Sequence, residues 1–203
     1  MLEKKPTRSE LKRQAILEAA KRTFQEQGVQ GTSMDMLAAE AQVSKRTVYN
    51  HFASKEVLIM ELITALWQQA TLLPQGSYDS DANLQEQLCA LIASEIAVIC
   101  SREYIELNRV AFDHFFHRPE ALREEVKKFS AYETGIKRWI KAAQVDGRLR
   151  DLDAEIASGQ IHNLIKGSCF WPQLMQVAPI LDEPEREALA ERTAAMFLSH
   201  YQT

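Results

Sequence analysis

The residues best suited to chemistry in this sequence are a short cationic cluster, Lys45-Arg46-Thr47, preceded by Ser44 and followed by Tyr49-Asn50-His51. Lys and Arg side chains donate hydrogen bonds to guanine, and an Asn amide pairs well with adenine. Hydroxyl, phenol and imidazole groups add donors for phosphate oxygens. Such residue types within one short stretch favour contact with a nucleic acid over catalysis.

Two short helices would position this cluster. Thr32 and Ser33 can cap the first helix, because their side-chain oxygens accept backbone N–H groups that otherwise lack partners. Ser44 can cap the second in the same way. Apolar residues recur at steps of three and four in the first helix, which predicts one buried face: Met34, Leu37, Ala38 and Ala41.

The turn between the two helices is only Ala41-Gln42-Val43. A second helix led by cations after so tight a turn predicts a helix-turn-helix that offers its second helix to the major groove of DNA. The alternative is an amphipathic helix pair packed inside some other all-α core.

The cluster and its helices resemble the TetR family of bacterial repressors. The matching residues are Thr32, Leu37, Ala38, Ala41, Val43, Ser44, Thr47, Val48, Tyr49, His51, Phe52, Ser54, Lys55, Glu56 and Leu58. Members of this family usually have Gly where Gln42 stands, and many have Gly where Arg46 stands. We therefore expect a mildly strained turn at Gln42 and a base preference unlike that of the glycine-bearing relatives.

Nine residues are predicted to contact double-stranded DNA, some through bases and some through phosphates. They are Thr32, Ser44, Lys45, Arg46, Thr47, Tyr49, Asn50, His51 and Lys55. For each cation the alternative is an ordinary solvated surface charge. Phe52 is expected to be part of the core.

Charge is distributed unevenly along the 203 residues. Residues 1–60 contain ten Lys and Arg against seven Asp and Glu, a formal charge of +3. Because the net charge of the whole chain is −4, the remaining residues carry −7. A basic head on an acidic body suits a DNA-binding protein, because attraction to phosphate is local.

Composition favours an all-α fold, since glycine and proline are few and no segment alternates as a strand does. We expect about nine helices: a three-helix DNA-binding head in residues 1–53 and a larger helical bundle for sensing and dimerisation in residues 54–203. The head begins with a basic arm at residues 1–8 and a helix from Ser9 to about Gln27, closed by a left-handed Gly28. Further helices are predicted at residues 54–73, 83–101, 102–117, 119–147, 154–175 and 185–201, with a linker at 74–81.

The resemblance implies that the body helices surround an effector pocket. Its candidate lining residues are Cys100, Tyr104, Phe112, Phe116, Trp139, His162 and Phe170. An effector that fits these residues would be largely apolar or aromatic. Aromatic residues at helical spacing are also typical of plain core, and that alternative stays open.

No metal site or cofactor is predicted. Cys89, Cys100 and Cys169 are dispersed, which favours small buried residues over a disulfide framework and leaves a redox or ligand role as the alternative. His114 and His117 could share a metal, but no Cys or carboxylate stands at ligand spacing beside them. Phosphate loops, nucleophile elbows and paired catalytic carboxylates are absent from the sequence, so an enzyme is the weakest hypothesis.

The favoured hypothesis is a repressor that binds a palindromic operator and responds to a small molecule. The alternative is a constitutive or architectural DNA-binding protein. The resemblance also implies a homodimer through the last two long helices, and packing within a monomer core is the alternative. Through residues 149–153 and 167–174, the body loosely resembles the AefR-like branch. Neither a signal peptide nor a membrane-spanning segment is evident, so we expect a cytoplasmic protein without membrane contact.

Overall fold

The computed structural model describes residues 7–71, 78–116 and 133–203, with 120, 123 and 127, excepting the side chains of 67–71 and 113–116. Every regular element in these residues is a helix, which confirms the all-α prediction. The helices are α1 Arg8–Gly31, α2 Met34–Glu40, α3 Lys45–His51, α4 Lys55–Thr71, α5 Leu84–Ile99, α6 Arg102–Phe116, α7 Gly135–Val145, α8 Ala154–Cys169, the single turn α9 Trp171–Leu174, and α10 Glu183–Tyr201.

The chain divides into two compact units. The first consists of the described residues of Met1–Thr64 and Glu106–Leu122, and the second consists of those of Ala65–Ile105 and Arg123–Thr203. Helices α4 and α6 are therefore each divided between the units. The predicted domain boundary after residue 53 lies inside the first unit and stays a prediction.

In the first unit, α1, α2 and α3 pack on one another. Their core is formed by Ile16, Phe24, Leu37, Val48 and Phe52, each at most 5% exposed. Helix α1 begins one residue earlier than expected, because Thr7 and Glu10 form a capping box. Arg8 of the predicted arm is therefore helical, while residues 1–6 lie outside the described part.

Gly28 has the positive φ that the sequence predicts, at 74°. Its ψ of 158° is extended, so Gly28 is a kink and not a left-handed cap. The chain then makes one more helical turn to Gly31 before α2. This turn sets the direction in which the chain enters the helix-turn-helix.

In the second unit, α10 packs mainly against α5, and α8 packs against α7, α9 and α10. Asn83 caps α5 as predicted, accepting the Glu86 N–H at 3.2 Å. Pro184 lies in the first turn of α10, also as predicted. The core is built from apolar residues of α5, α7, α8 and α10, including Leu88, Ile92, Ile96, Trp139, Ile140, Ile161, Ile165, Ala194 and Phe197.

Two long helices predicted in the body are interrupted. Thr134 has extended backbone and caps α7 with its hydroxyl, so the helix predicted from 119 to 147 cannot be continuous. The helix predicted from 154 to 175 ends at Cys169, because Phe170 leaves helical geometry at φ −126°. Both breaks have local signals, since Thr134 is a capping residue followed by Gly135 and Pro172 lies two residues after Phe170.

Among the described residues, no helix is both long and apolar enough to cross a membrane. Much of the linker predicted at 74–81 lies outside the described part, which resumes at Tyr78.

Candidate nucleic-acid interface

Side-chain caps fix the two short helices at their first residues. Ser33 accepts the Met36 N–H, and Ser44 accepts the Thr47 N–H, each at 3.2 Å. The cap of α2 is therefore Ser33 and not Thr32. Between the helices, Gln42 has φ 54°, which is the strained turn that the sequence predicts.

The first turns of α3 face solvent. Lys45, Arg46 and Asn50 are exposed, and the Tyr49 ring is 45% exposed. Within the described residues, Arg46 has no hydrogen-bond or ion-pair partner. A long cationic side chain that is exposed and held by no ion pair within the described residues can reach a base edge or a phosphate.

Lys45 is exposed but already forms an ion pair. Its Nζ lies 2.8 Å from Oδ1 and 2.9 Å from Oδ2 of Asp35, which stands in the first turn of α2. The hydrogen bond to Asp35 raises the pKa of Lys45. Asp35 is not among the predicted contacts, although its position ten residues before Lys45, across a short turn, is a sequence signal of this pair.

The inner side of α3 anchors the helix. Val48 is fully buried and Phe52 is 1% exposed. The Arg13 guanidinium of α1 lies 5.1 Å from the centre of the Phe52 ring, a cation–π contact. Thr47 shares a 2.8 Å hydrogen bond with the Ser44 hydroxyl, and the half-buried His51 ring lies beside Phe52.

Two predicted contacts need correction. Thr32 is 2% exposed, and its hydroxyl donates to the Gly28 carbonyl at 2.9 Å, so it is not available to a phosphate. The Lys55 ammonium donates to the carbonyls of Val29 and Thr32, both at 3.0 Å. Lys55 therefore braces the connection from α1 to α2, which a charge-based prediction could not reveal.

Of the predicted pocket residues, the structure brings three together. The rings of Tyr104 and Phe170 have centres 5.9 Å apart, and the Cys100 thiol shares a hydrogen bond with Cys169. That hydrogen bond, together with burial, raises the pKa of Cys169. All four residues are at most 6% exposed, which is the condition of core residues.

Trp139 does not join that group. It is 1% exposed, and its Nε1 donates to Gln87 at 3.2 Å, while the Gln87 amide holds the carbonyls of Asp79 and Ala82. Its position is that of a structural anchor for the segment before α5. Phe112 is half-buried in the first unit, and the Phe116 side chain lies outside the described part, as do those of His114 and His117.

His162 forms a pair that the sequence analysis did not anticipate. Its Nε2 lies 2.8 Å from Oε2 of Glu95, a carboxylate that is 2% exposed. Nearby Lys166 is half-buried, and burial lowers its pKa. An acid inside the apolar stripe of α5, between Ile92 and Ile96, is the signal that was missed.

The described residues contain no group of three or more His, Cys, Asp or Glu side chains that could hold a metal ion. Cys100 and Cys169 are fully buried thiols and Cys89 is partly buried.

The last two long helices leave apolar residues uncovered. Ile156 and Leu164 of α8 are 62% and 38% exposed, and Met196 of α10 is 58% exposed. A Cβ atom built at Gly159 or Gly167 of α8 would meet nothing within 4 Å. These glycines are therefore not required by packing within the described chain.

Comparison with known proteins gives two family matches. Residues 16–62 match bacterial regulatory proteins of the tetR family, and residues 86–203 match the C-terminal domain of AefR-like transcriptional repressors. The chain is 28% identical over 178 residues to the HTH-type transcriptional regulator AcrR of Shigella flexneri, covering 79% of this chain and 80% of AcrR.

Two solved structures resemble the whole chain. A TetR family transcriptional regulator from Pseudomonas syringae is 36% identical with a TM-score of 0.69, covering 94% of this chain and 96% of the other. A TetR-family regulator from Mesorhizobium loti is 25% identical with a TM-score of 0.75, covering 98% and 100%.

Proposed function

The chain belongs to the TetR family of bacterial transcriptional regulators, and we propose that it is a ligand-responsive repressor that binds a palindromic operator as a dimer. The observation that supports this most directly is the exposed, cap-fixed leading end of α3, with Arg46 uncommitted among the described residues. A helix placed this way in a helix-turn-helix is the element that enters the major groove.

The proposed contact set is smaller than the predicted one. It comprises Ser44, Lys45, Arg46, Thr47, Tyr49, Asn50 and His51. Arg46 and Asn50 are proposed to reach base edges, and the hydroxyl, phenol, imidazole and ammonium groups are proposed to hold phosphates. Thr32 and Lys55 are excluded because their polar groups serve the fold.

Dimerisation is proposed to use the exposed sides of α8 and α10. Ile156, Leu164 and Met196 supply apolar surface, and Gly159 and Gly167 permit close approach of a second helix. A two-fold symmetric pair would place two copies of α3 about 34–36 Å apart, one turn of DNA. The operator should then be a near-palindrome.

We further propose that residues 1–53 act as the DNA-binding domain and residues 54–203 as the sensing and dimerisation domain. A small, largely apolar effector would favour a dimer whose heads are spaced wrongly for adjacent grooves, and so release the operator.

A second candidate is a constitutive DNA-binding protein. It is favoured by the burial of Cys100, Tyr104, Trp139 and Phe170, which pack as core residues. These are four of the seven predicted pocket residues, and a chain without an effector pocket would bind DNA without sensing a ligand.

The test uses fluorescence anisotropy with duplexes from the region upstream of the protein's own gene, followed by footprinting of any bound duplex. A symmetric footprint at nanomolar protein supports the repressor, and indifference to every duplex at low salt contradicts it. Adding a panel of hydrophobic compounds then separates the candidates, because only a sensor loses operator affinity on binding one of them.

A further inference from the structure

An acidic side chain lies within the surface proposed to meet DNA. Asp35 is the second residue of α2 and Lys45 is the first residue of α3, and both Asp35 oxygens lie within 2.9 Å of the Lys45 Nζ. The two side chains remain 62% and 61% exposed. The pair is therefore open to solvent and to any ligand that approaches α3.

Stability does not require this pair. Exposed ion pairs contribute little to folding, and Ser33 already caps the helix that carries Asp35. Lys45 is protonated near neutral pH at its ordinary pKa, and the hydrogen bond to Asp35 raises that pKa further. The lasting consequence of Asp35 is thus electrostatic, since it neutralises one of the two cations at the leading end of α3.

We propose that Asp35 tunes the affinity for DNA by competing with phosphate for the Lys45 ammonium, an inference that rests on the proposed function. A phosphate that binds Lys45 must replace Asp35 and leaves that carboxylate close to the duplex. Both effects oppose binding to any sequence. While Lys45 stays with Asp35 it neutralises no phosphate, which reduces the net release of counterions when the complex forms.

The first variant is Asp35→Asn, which keeps the side-chain shape and removes the charge. We expect it to bind duplexes of any sequence about two- to fivefold more tightly at low salt, the range that loss of one exposed ion pair allows. The slope of log K against log salt should become steeper by up to about 0.9. Anisotropy titrations at several salt concentrations measure both quantities.

The matched control is Glu40→Gln. Glu40 ends α2 and pairs with Arg22 at 2.9 Å, with side chains 47% and 54% exposed, so the two variants change the net charge of the same helix equally. The inference requires Asp35→Asn to gain more affinity than Glu40→Gln. Equal gains would mean that only net charge matters, and would overturn it.

A double-mutant cycle with Lys45→Met locates the effect, and circular dichroism confirms that each variant is folded. The gain from Asp35→Asn should be smaller when Lys45 is absent, because only the repulsion between the carboxylate and the duplex is then removed. An equal gain in both backgrounds would overturn the competition. Weaker binding by Asp35→Asn would make Asp35 a positioning residue for Lys45 and would overturn the competition. If the unchanged protein binds no duplex, the proposed function itself fails, whereas normal binding that is insensitive to Asp35→Asn removes this inference alone.

Discussion

The surface at α3 and the surface at α8 and α10 are built in different ways. At α3, the geometry is fixed by hydrogen bonds between close neighbours, such as Ser44 with Thr47 and Ser33 with Met36. Helices α8 and α10 are also capped, by Asp153 and Asp182, but their exposed surface consists of apolar side chains left over when the core face of each helix is filled. The α3 surface is therefore determined by a short stretch of sequence, whereas the surface of α8 and α10 depends on how distant elements pack.

The two units also handle charge differently. The Lys45–Asp35 pair is more than half exposed, so it is screened by salt and can exchange partners. In the His162–Glu95 pair the carboxylate is 2% exposed, whereas the imidazole side chain is 16% exposed, so removing His162 would leave the buried carboxylate without this partner. Exchangeable pairs suit a surface that binds a polyanion, and fixed pairs suit a scaffold.

The largest expected effect on stability comes from truncating a buried aromatic side chain beneath α3. Phe52→Ala should lower the free energy of unfolding by about 3–5 kcal/mol, because a fully buried aromatic side chain is lost and a cavity remains. Phe52 is 1% exposed and also carries the contact with Arg13. Urea denaturation followed by circular dichroism measures the change.

Phe52→Leu is the control and should cost less, since an apolar side chain still fills most of the space. A loss below about 1 kcal/mol for Phe52→Ala would show that the α3 surface is held by its caps alone.

The sequence predicted the helix-turn-helix well, because its signals are local. Caps at Ser44 and Asn83, positive φ at Gly28 and Gln42, and burial of Phe52 all follow from a few neighbouring residues. The family resemblance, resting on the same stretch, is confirmed by the family matches.

The errors concern residues whose roles depend on distant partners. Lys55 looks like a phosphate ligand until its ammonium is seen to hold Val29 and Thr32. Hydrophobic periodicity predicted continuous helices through Thr134 and Phe170, although Thr134-Gly135 and Pro172 are local signals of a break. Glu95 was passed over in an apolar stripe, since its partner His162 is remote in sequence.

The proposed dimer surface can be broken without disturbing the core. The double variant Ile156→Glu and Leu164→Glu places charge on exposed positions of α8, so the monomer should fold normally while the dimer dissociates. Affinity for the operator should fall by about a hundredfold or more, because the gain from linking two sites is lost. Light scattering measures the mass and anisotropy measures the affinity.

Val145→Glu is the matched control, since Val145 of α7 is 92% exposed and lies outside the proposed dimer surface. A stable dimer in the double variant would assign the association to another surface.

A smaller effect is expected at the leading end of α3. Arg46→Ala should weaken binding to the operator by about 1–3 kcal/mol and relax the preference at one base pair. Lys12→Ala is the control, because it removes an exposed cation from α1. Any effect of the control should be the same for all sequences. Affinities measured for a set of single-base operator variants give the base preference of each protein. An unchanged base preference in Arg46→Ala would argue against contact between this residue and a base edge in the groove.

The smallest expected effect tests whether the turn itself is strained. Gln42 holds φ at 54°, where a side chain is unfavourable, whereas its neighbour Ala41 has φ −76°. Gln42→Gly should therefore raise the free energy of unfolding by about 0.5–1 kcal/mol, the relief of strain exceeding the added entropy of the unfolded chain. Ala41→Gly should lower it by a similar amount, since only the entropy changes there. Opposite signs in paired urea titrations would show that the strain at Gln42 is real and local. A loss of stability in both variants would mean that the Gln42 side chain contributes more to the turn than its backbone costs.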